Sequence, residues 1–154
     1  MPAAENKSTE STAADSRDDA GIGRGIAYAF AREGCKNIVI ADRTEDGLQE
    51  TKHSILASYP EARVESQVTD VSVDEDVKRL LKSALNSFGR VDYAVNAAGV
   101  LGPSKRSHEL TTEEFDDVLK VDYRGCWLCS REELKCMVQQ SPLPSHDGRP
   151  GNRG

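Results

Sequence analysis

The stretch "GIGRGIAYAFAREGCKNIVIAD", Gly21 to Asp42, decides the fold. It opens on a glycine-rich turn. Ile22, Ile26 and Phe30 then recur every four residues, with Ala27 and Ala29 between them, which predicts an amphipathic helix. Gly34 supplies its stop, because glycine adopts a left-handed helix end at no steric cost. "NIVIA" at 37–41 is a short apolar run of the kind a strand buried on both faces requires, and it ends on an acid, Asp42. Glycine turn, helix, strand and acid together describe the first half of a nucleotide-binding unit. One part is missing: such a turn normally follows a buried strand, and the residues before it, "NKSTESTAADSR", contain no apolar run.

Further along the chain, helix and strand alternate. "TEDGLQETKHSILASY" predicts a second helix, and Pro60 marks a turn. "RVESQV" alternates Val64, Ser66 and Val68 as a strand does. Ser72 and Glu75 are spaced as a capping box. Val73, Val77, Leu80, Leu81, Ala84, Leu85 and Phe88 give the helix that follows a continuous apolar face, and Gly89 ends it. "VDYAV" at 91–95 is a third strand. Thr111 and Glu114 form another capping-box pattern, ahead of a long helix that runs to about Gln140. This order predicts an α/β protein with a parallel sheet. Its divisions are a polar segment at 1–20, expected to be disordered or a frayed helix, a partial dinucleotide-binding domain at 21–140, and a Pro/Gly-rich tail at 141–154.

Size and charge narrow the function. The 154 residues suffice for one domain. A net charge of -6, with both signs interspersed, argues against a nucleic-acid partner, and the one basic cluster, "SKRSH" at 104–108, reads as loop decoration. No stretch approaches the roughly 20 apolar residues of a membrane span, and the N-terminus lacks the apolar core of a secretory signal, so the expected compartment is the cytosol. Cys35, Cys126, Cys129 and Cys136 then read as reduced thiols in or near the core. Cys126 and Cys129 form a CxxC inside a helical pattern, with no second pair to complete a zinc site, so packing is the reading and no metal is expected.

Four segments carry candidate chemistry. Gly21, Ile22 and Gly23 form a turn whose backbone can approach a pyrophosphate at a helix N-terminus. Asp42, about 20 residues on, can accept hydrogen bonds from the adenosine ribose. Arg43 beside it could pair with a 2′-phosphate, which Asp42 would repel; the balance leans to NAD over NADP. "TDVS" at 69–72 and "VNAAG" at 95–99 each follow a predicted strand, where open α/β sheets bind ligands.

With these segments in this order, the sequence resembles the short-chain dehydrogenase/reductase family, close to its 3-oxoacyl-reductase-like members. "EEFDDVLKVDYRGCWLCSREELKCM" extends the likeness, most closely to fungal members. The resemblance covers about Gly21 to Gly154. It implies a Rossmann-type fold and NAD(P)-dependent chemistry on an alcohol or carbonyl substrate. Gly21, Ile22 and Gly23 match the family's phosphate-side turn, Asp42 the ribose position, Asp70 and Val71 the adenine-side pair, and Asn96, Ala97 and Gly99 the motif beside the nicotinamide ribose.

The resemblance also locates departures. The threonine and glycine that open the family's turn correspond to Ser16 and Arg17. The strand before them, central in the family's sheet, is expected to be absent, which would deprive the Asp42 and "VDYAV" strands of their shared partner and leave the domain marginal or molten. The family's tyrosine–lysine pair, four residues apart, has no counterpart: Tyr28, Tyr59, Tyr93 and Tyr123 are followed at that spacing by Arg32, Arg63, Ala97 and Trp127. The catalytic serine and that pair, with the strands after the fifth helix, fall beyond residue 154. The family's helix asparagine corresponds to Asp122. The expected fold is therefore a Rossmann-like parallel sheet that is incomplete. Two readings of function remain: a truncated oxidoreductase, or a non-catalytic nucleotide-binding or interaction protein of the same fold. In relatives the long helix from Thr112 helps form the dimer interface, which implies a homo- or hetero-oligomer.

Overall fold

The computed structural model describes residues 8–12 and 21–142. Its elements are β1 (Ser8–Thr12), α1 (Ile22–Arg32), β2 (Asn37–Asp42), α2 (Glu45–Ser58), β3 (Arg63–Val68), α3 (Asp74–Phe88) and β4 (Tyr93–Asn96). A 3₁₀ turn at Ser107–Glu109 leads into α4 (Thr112–Leu119), a π-helical turn (Lys120–Gly125) and α5 (Cys126–Met137). The four strands form one parallel sheet in the order β3-β2-β1-β4.

The expectation of a missing first strand is corrected by this order. Ser8–Thr12 occupies the central position: Thr9 pairs with both Ile38 and Tyr93, and Thr12 with both Ala41 and Asn96. A parallel ladder is built from backbone N–H and C=O groups, so a serine- and threonine-rich segment can complete it. Hydrophobic periodicity has no purchase on "STEST", and that is why the strand was invisible to it. The expectation of disorder across 1–20 is corrected for the same five residues. Ser16 and Arg17 lie outside the described residues, as does the tail from 143 onward.

Two apolar layers flank the sheet. β2 is buried throughout and alternates its side chains between them. Ile38 and Ile40 pack with Ala27 and Ala31 of α1, Leu48 and Ile55 of α2, and Val64 of β3. Val39 and Ala41 pack with Val77, Leu80, Leu81 and Ala84 of α3 and Leu128 and Cys129 of α5. Each fully buried Val, Leu or Ile among them contributes about 1.5–3 kcal/mol. Among the described residues no helix is long and apolar enough to cross a membrane.

Several local readings change. α1 turns Gly23, Ala27 and Ala31 inward and leaves Ile22 exposed, so its buried face is rotated by one residue from the Ile22–Ile26–Phe30 row. The small side chains set the helix close against the sheet; periodicity read from the large ones found the neighbouring face. α3 is capped at Val73 without a side-chain bond, so the Ser72–Glu75 box does not form, whereas the Thr111–Glu114 box does. Gly89 stops α3 at φ +79° as expected. The third strand begins at Tyr93 rather than 91. Of the cysteines, Cys35 and Cys129 are buried and Cys136 half-buried, but Cys126 is exposed at the start of α5.

Candidate active site

The carboxyl ends of β2, β3 and β4, with the N-terminus of α1, carry most of the residues singled out in the sequence. β2 ends on Asp42, a buried carboxylate. Its Oδ1 accepts from the Thr44 amide at 2.8 Å and the Thr44 hydroxyl at 2.7 Å. The end of β3 repeats this arrangement: Asp70 Oδ1 accepts from the Ser72 amide at 2.9 Å and hydroxyl at 2.7 Å. Both are Asx turns, in which the side chain holds the backbone two residues on. The Thr69 amide donates to the Asp42 carbonyl at 2.9 Å and ties the two strand ends together. Arg43, in the link from β2 to α2, is exposed.

Gly21 caps the N-terminus of α1 with φ -59° and ψ 144° and makes no side-chain cap bond. The next glycine, Gly23, is buried, and Ile22 between them faces solvent. The first N–H groups of an uncapped helix carry positive potential and lack intrahelical partners. Arg24 is held away along α2 by Thr51 Oγ1 at 3.1 Å and Glu50 at 2.9 Å.

At the end of β4, Asn96 is anchored to α5. Its Nδ2 donates to Glu133 Oε2 at 3.0 Å and to Ser130 Oγ at 3.3 Å. Ala97, Ala98 and Gly99 follow, half-buried. The turn is held from above by the π-helical segment, where Asp122 Oδ1 accepts from the Val100 amide at 2.8 Å. A Cβ on Gly99 would stand 3.4 Å from that same oxygen.

The π-helical turn joins both strand-end loops. Gly125 lies against Val71 so closely that a Cβ there would come within 2.8 Å of Val71 Cγ2. Arg124 Nη1 donates to the Ser72 carbonyl at 2.7 Å. Thus Asp122 fixes the β4 loop while Arg124 and Gly125 fix the β3 loop. π-helical turns often mark functional positions in helices.

Sequence reasoning missed Thr44, Ser72, Arg124, Gly125, Ser130 and Glu133 in these supporting roles. A signal for the first two was present: Asp-Arg-Thr at 42–44 and Asp-Val-Ser at 70–72 share one spacing. Glu133 gave none, since a glutamate in a charged helix reads as a solvated side chain. Instead it is buried, and its Oε1 is the one buried side-chain oxygen without a partner among the described residues. Burial pushes its carboxyl above the usual carboxylate range, and the Asn96 bond opposes part of that rise.

A glycine-opened helix N-terminus without a side-chain cap is chemically suited to an anionic phosphate, and a strand-end carboxylate held by an Asx turn is an acceptor of the kind ribose hydroxyls need, so the donor and acceptor set fits a dinucleotide.

Comparison with known proteins bears on the family and the fold. A family model described as enoyl-(acyl carrier protein) reductase matches residues 17–143. Levodione reductase of Leifsonia aquatica is 34% identical over 78% of this chain and 45% of its own length. A short-chain dehydrogenase of Neurospora crassa is 35% identical over 84% of this chain and 49% of its own. The crystal structure of levodione reductase superposes with a TM-score of 0.81 at 31% identity, over 88% of this chain and 51% of that one. A 3-ketoacyl-(acyl-carrier-protein) reductase from Brucella melitensis, solved in complex with NADH, gives 0.74 at 30% identity, over 88% and 52%. The chain spans about half the length of the curated relatives it matches. On the matched family model, this likeness of fold and the order of the strand-end loops, the chain belongs to the short-chain dehydrogenase/reductase family.

Proposed function

We propose that this chain is the dinucleotide-binding part of an NAD(P)-dependent oxidoreductase acting on an alcohol or carbonyl, and that it takes NAD in preference to NADP. The observation that carries the reading is the placement of Asp42, Asp70–Val71 and Asn96–Gly99 at the carboxyl ends of three strands of one parallel sheet, β2 and β3 side by side and β4 across β1. In it, Gly21, Ile22 and Gly23 face the pyrophosphate, Asp42 receives the adenosine ribose hydroxyls, Asp70 and Val71 flank the adenine, and Asn96, Ala97 and Gly99 border the nicotinamide ribose. When bound, the dinucleotide supplies hydride transfer. Asp42, buried and oriented by Thr44, disfavours a 2′-phosphate; Arg43 is the group that could offset this. A 3-oxoacyl-reductase-like, fungal-type subgroup is supported by the Neurospora crassa and Brucella melitensis matches.

A second reading, a nucleotide-binding or interaction protein without catalysis, has its own support. Phe115, Leu119, Tyr123 and Trp127 form an exposed apolar row along α4, the π-helical turn and α5, a face suited to a second copy or a relative.

Titration with NADH and NADPH, followed by nicotinamide fluorescence and calorimetry, tests the binding reading. NADH is expected to bind more tightly, and Asp42→Ala to narrow the difference. Absence of binding by either dinucleotide in a cooperatively melting sample would end this reading. Turnover of an alcohol or carbonyl separates the two readings, and light scattering of Trp127→Glu against the parent chain tests the apolar row as an oligomer contact.

A further inference from the structure

Among the described residues, the Glu133 carboxyl carries the one buried side-chain oxygen without a hydrogen-bond partner. It sits in α5 with one oxygen on Asn96 and the other, Oε1, buried without a partner. A buried oxygen in that state costs the desolvation of the group with no hydrogen bond to offset it. Burial of a carboxyl that does not complete its bonding is a local conflict, and such conflicts concentrate where a residue serves something other than stability.

What Glu133 does is visible in its other oxygen. Asn96 Nδ2 donates to Glu133 Oε2 and Ser130 Oγ, so both amide hydrogens are committed to α5. Two bonds from one nitrogen fix the amide plane, and with it the last residue of β4. The turn from Asn96 to Gly99 begins there, with Asp122 holding its far side through Val100. Residues 37 positions apart are thereby joined at the mouth of the site.

We propose that Glu133 is a positioning residue: its buried carboxyl locks the Asn96 amide and so sets the Asn96–Gly99 turn for a nicotinamide dinucleotide. The proposal rests on the binding reading above, and it separates stability from affinity. Glu133→Leu removes the unpartnered buried oxygen and adds apolar burial but takes an acceptor from the Asn96 amide; the two effects oppose, so the variant should still melt cooperatively, near the temperature of the parent chain. It also removes the shorter of the two Asn96 bonds, so the turn should loosen. Glu133→Gln keeps an acceptor for Asn96 in the same shape.

The experiment measures three things on the full chain: the thermal melt, the NMR resonances and solvent exchange of the Asn96 side-chain amide, and NADH affinity. Glu133→Leu is expected to keep its melt, to speed exchange at the Asn96 amide, and to bind NADH about fivefold more weakly, the scale of one net hydrogen bond. Glu133→Gln should restore the amide and the affinity. Unchanged NADH affinity in Glu133→Leu would overturn the proposal. So would a Glu133→Leu chain that no longer melts cooperatively, because Glu133 would then be structural. If the parent chain binds no NADH, the binding reading fails, and the Asn96 amide decides the positioning role alone: release in Glu133→Leu supports it and an unchanged amide overturns it.

Discussion

Gln140 pairs with Val91 as a neighbouring strand would. Its Oε1 accepts from the Val91 amide at 2.7 Å, and its Nε2 donates to the Val91 carbonyl at 2.8 Å. Val91 is buried just ahead of β4, so one side chain past the end of α5 satisfies both of its backbone groups. Gln140→Leu leaves that pair unmatched and is expected to cost about 1–3 kcal/mol, read as a lower urea midpoint at unchanged slope. A midpoint equal to the parent's would mean that water replaces the amide.

The contact of Gly125 with Val71 makes a steric prediction. Gly125→Ala places a Cβ against a buried side chain and should cost about 1–3 kcal/mol. Shortening the neighbour should recover much of this, so Gly125→Ala with Val71→Ala is expected to lose less than the two single losses added together. Additive losses in a double-mutant cycle would show that the π-helical turn yields instead.

The central place of β1 predicts intolerance of proline. Glu10 is paired on both sides, with Val39 and with Ala94. Glu10→Pro removes a ladder hydrogen bond from an interior strand and should cost about 3 kcal/mol or more. Circular dichroism should then show a broad melt in place of a cooperative one. A parent-like melt would place the sheet's cooperativity in β2 and β3 alone.

Glu133 also predicts the sign of a pH effect. A carboxyl whose folded pKa is raised keeps its proton in the native state at pH values where the unfolded chain has lost it. The native state therefore binds more protons, and stability falls as pH rises from the unfolded value through the raised folded one. Glu133→Gln cannot titrate, so its stability relative to the parent should increase across that window and level off above it. Chemical denaturation at several pH values checks this; a difference independent of pH would refute it.

Much of the fold was legible because burial writes itself into sequence. β2 is covered on both faces and reads as a continuous apolar run, and α3 shows its inward face at Val77, Leu80, Leu81 and Ala84. The Thr111–Glu114 cap was readable because both partners lie within one turn. What failed to show were interactions that leave no pattern. β1 is held by backbone pairing, which any non-proline sequence can supply. α1 packs through glycine and alanine, whose weak hydrophobicity hides the buried face. In the site, the motif residues were visible by type and spacing, whereas Ser130, Glu133 and Arg124 support them from 34, 37 and 52 positions away. Only the tertiary fold makes those distances short.

The sheet order has a kinetic consequence. β1 is first in the chain, yet it is the strand that joins β2 to β4, and Thr9 meets Tyr93 with more than half of the chain between them. Loop closure of that length must be met before the ladder rewards it, so β1–β4 pairing belongs to the late, slow part of assembly. Until it occurs, the edges of β2 and β4 both stand open. Those two edges are where a half-assembled chain would associate with another, and folding yield should fall with protein concentration before the finished domain shows any tendency to aggregate.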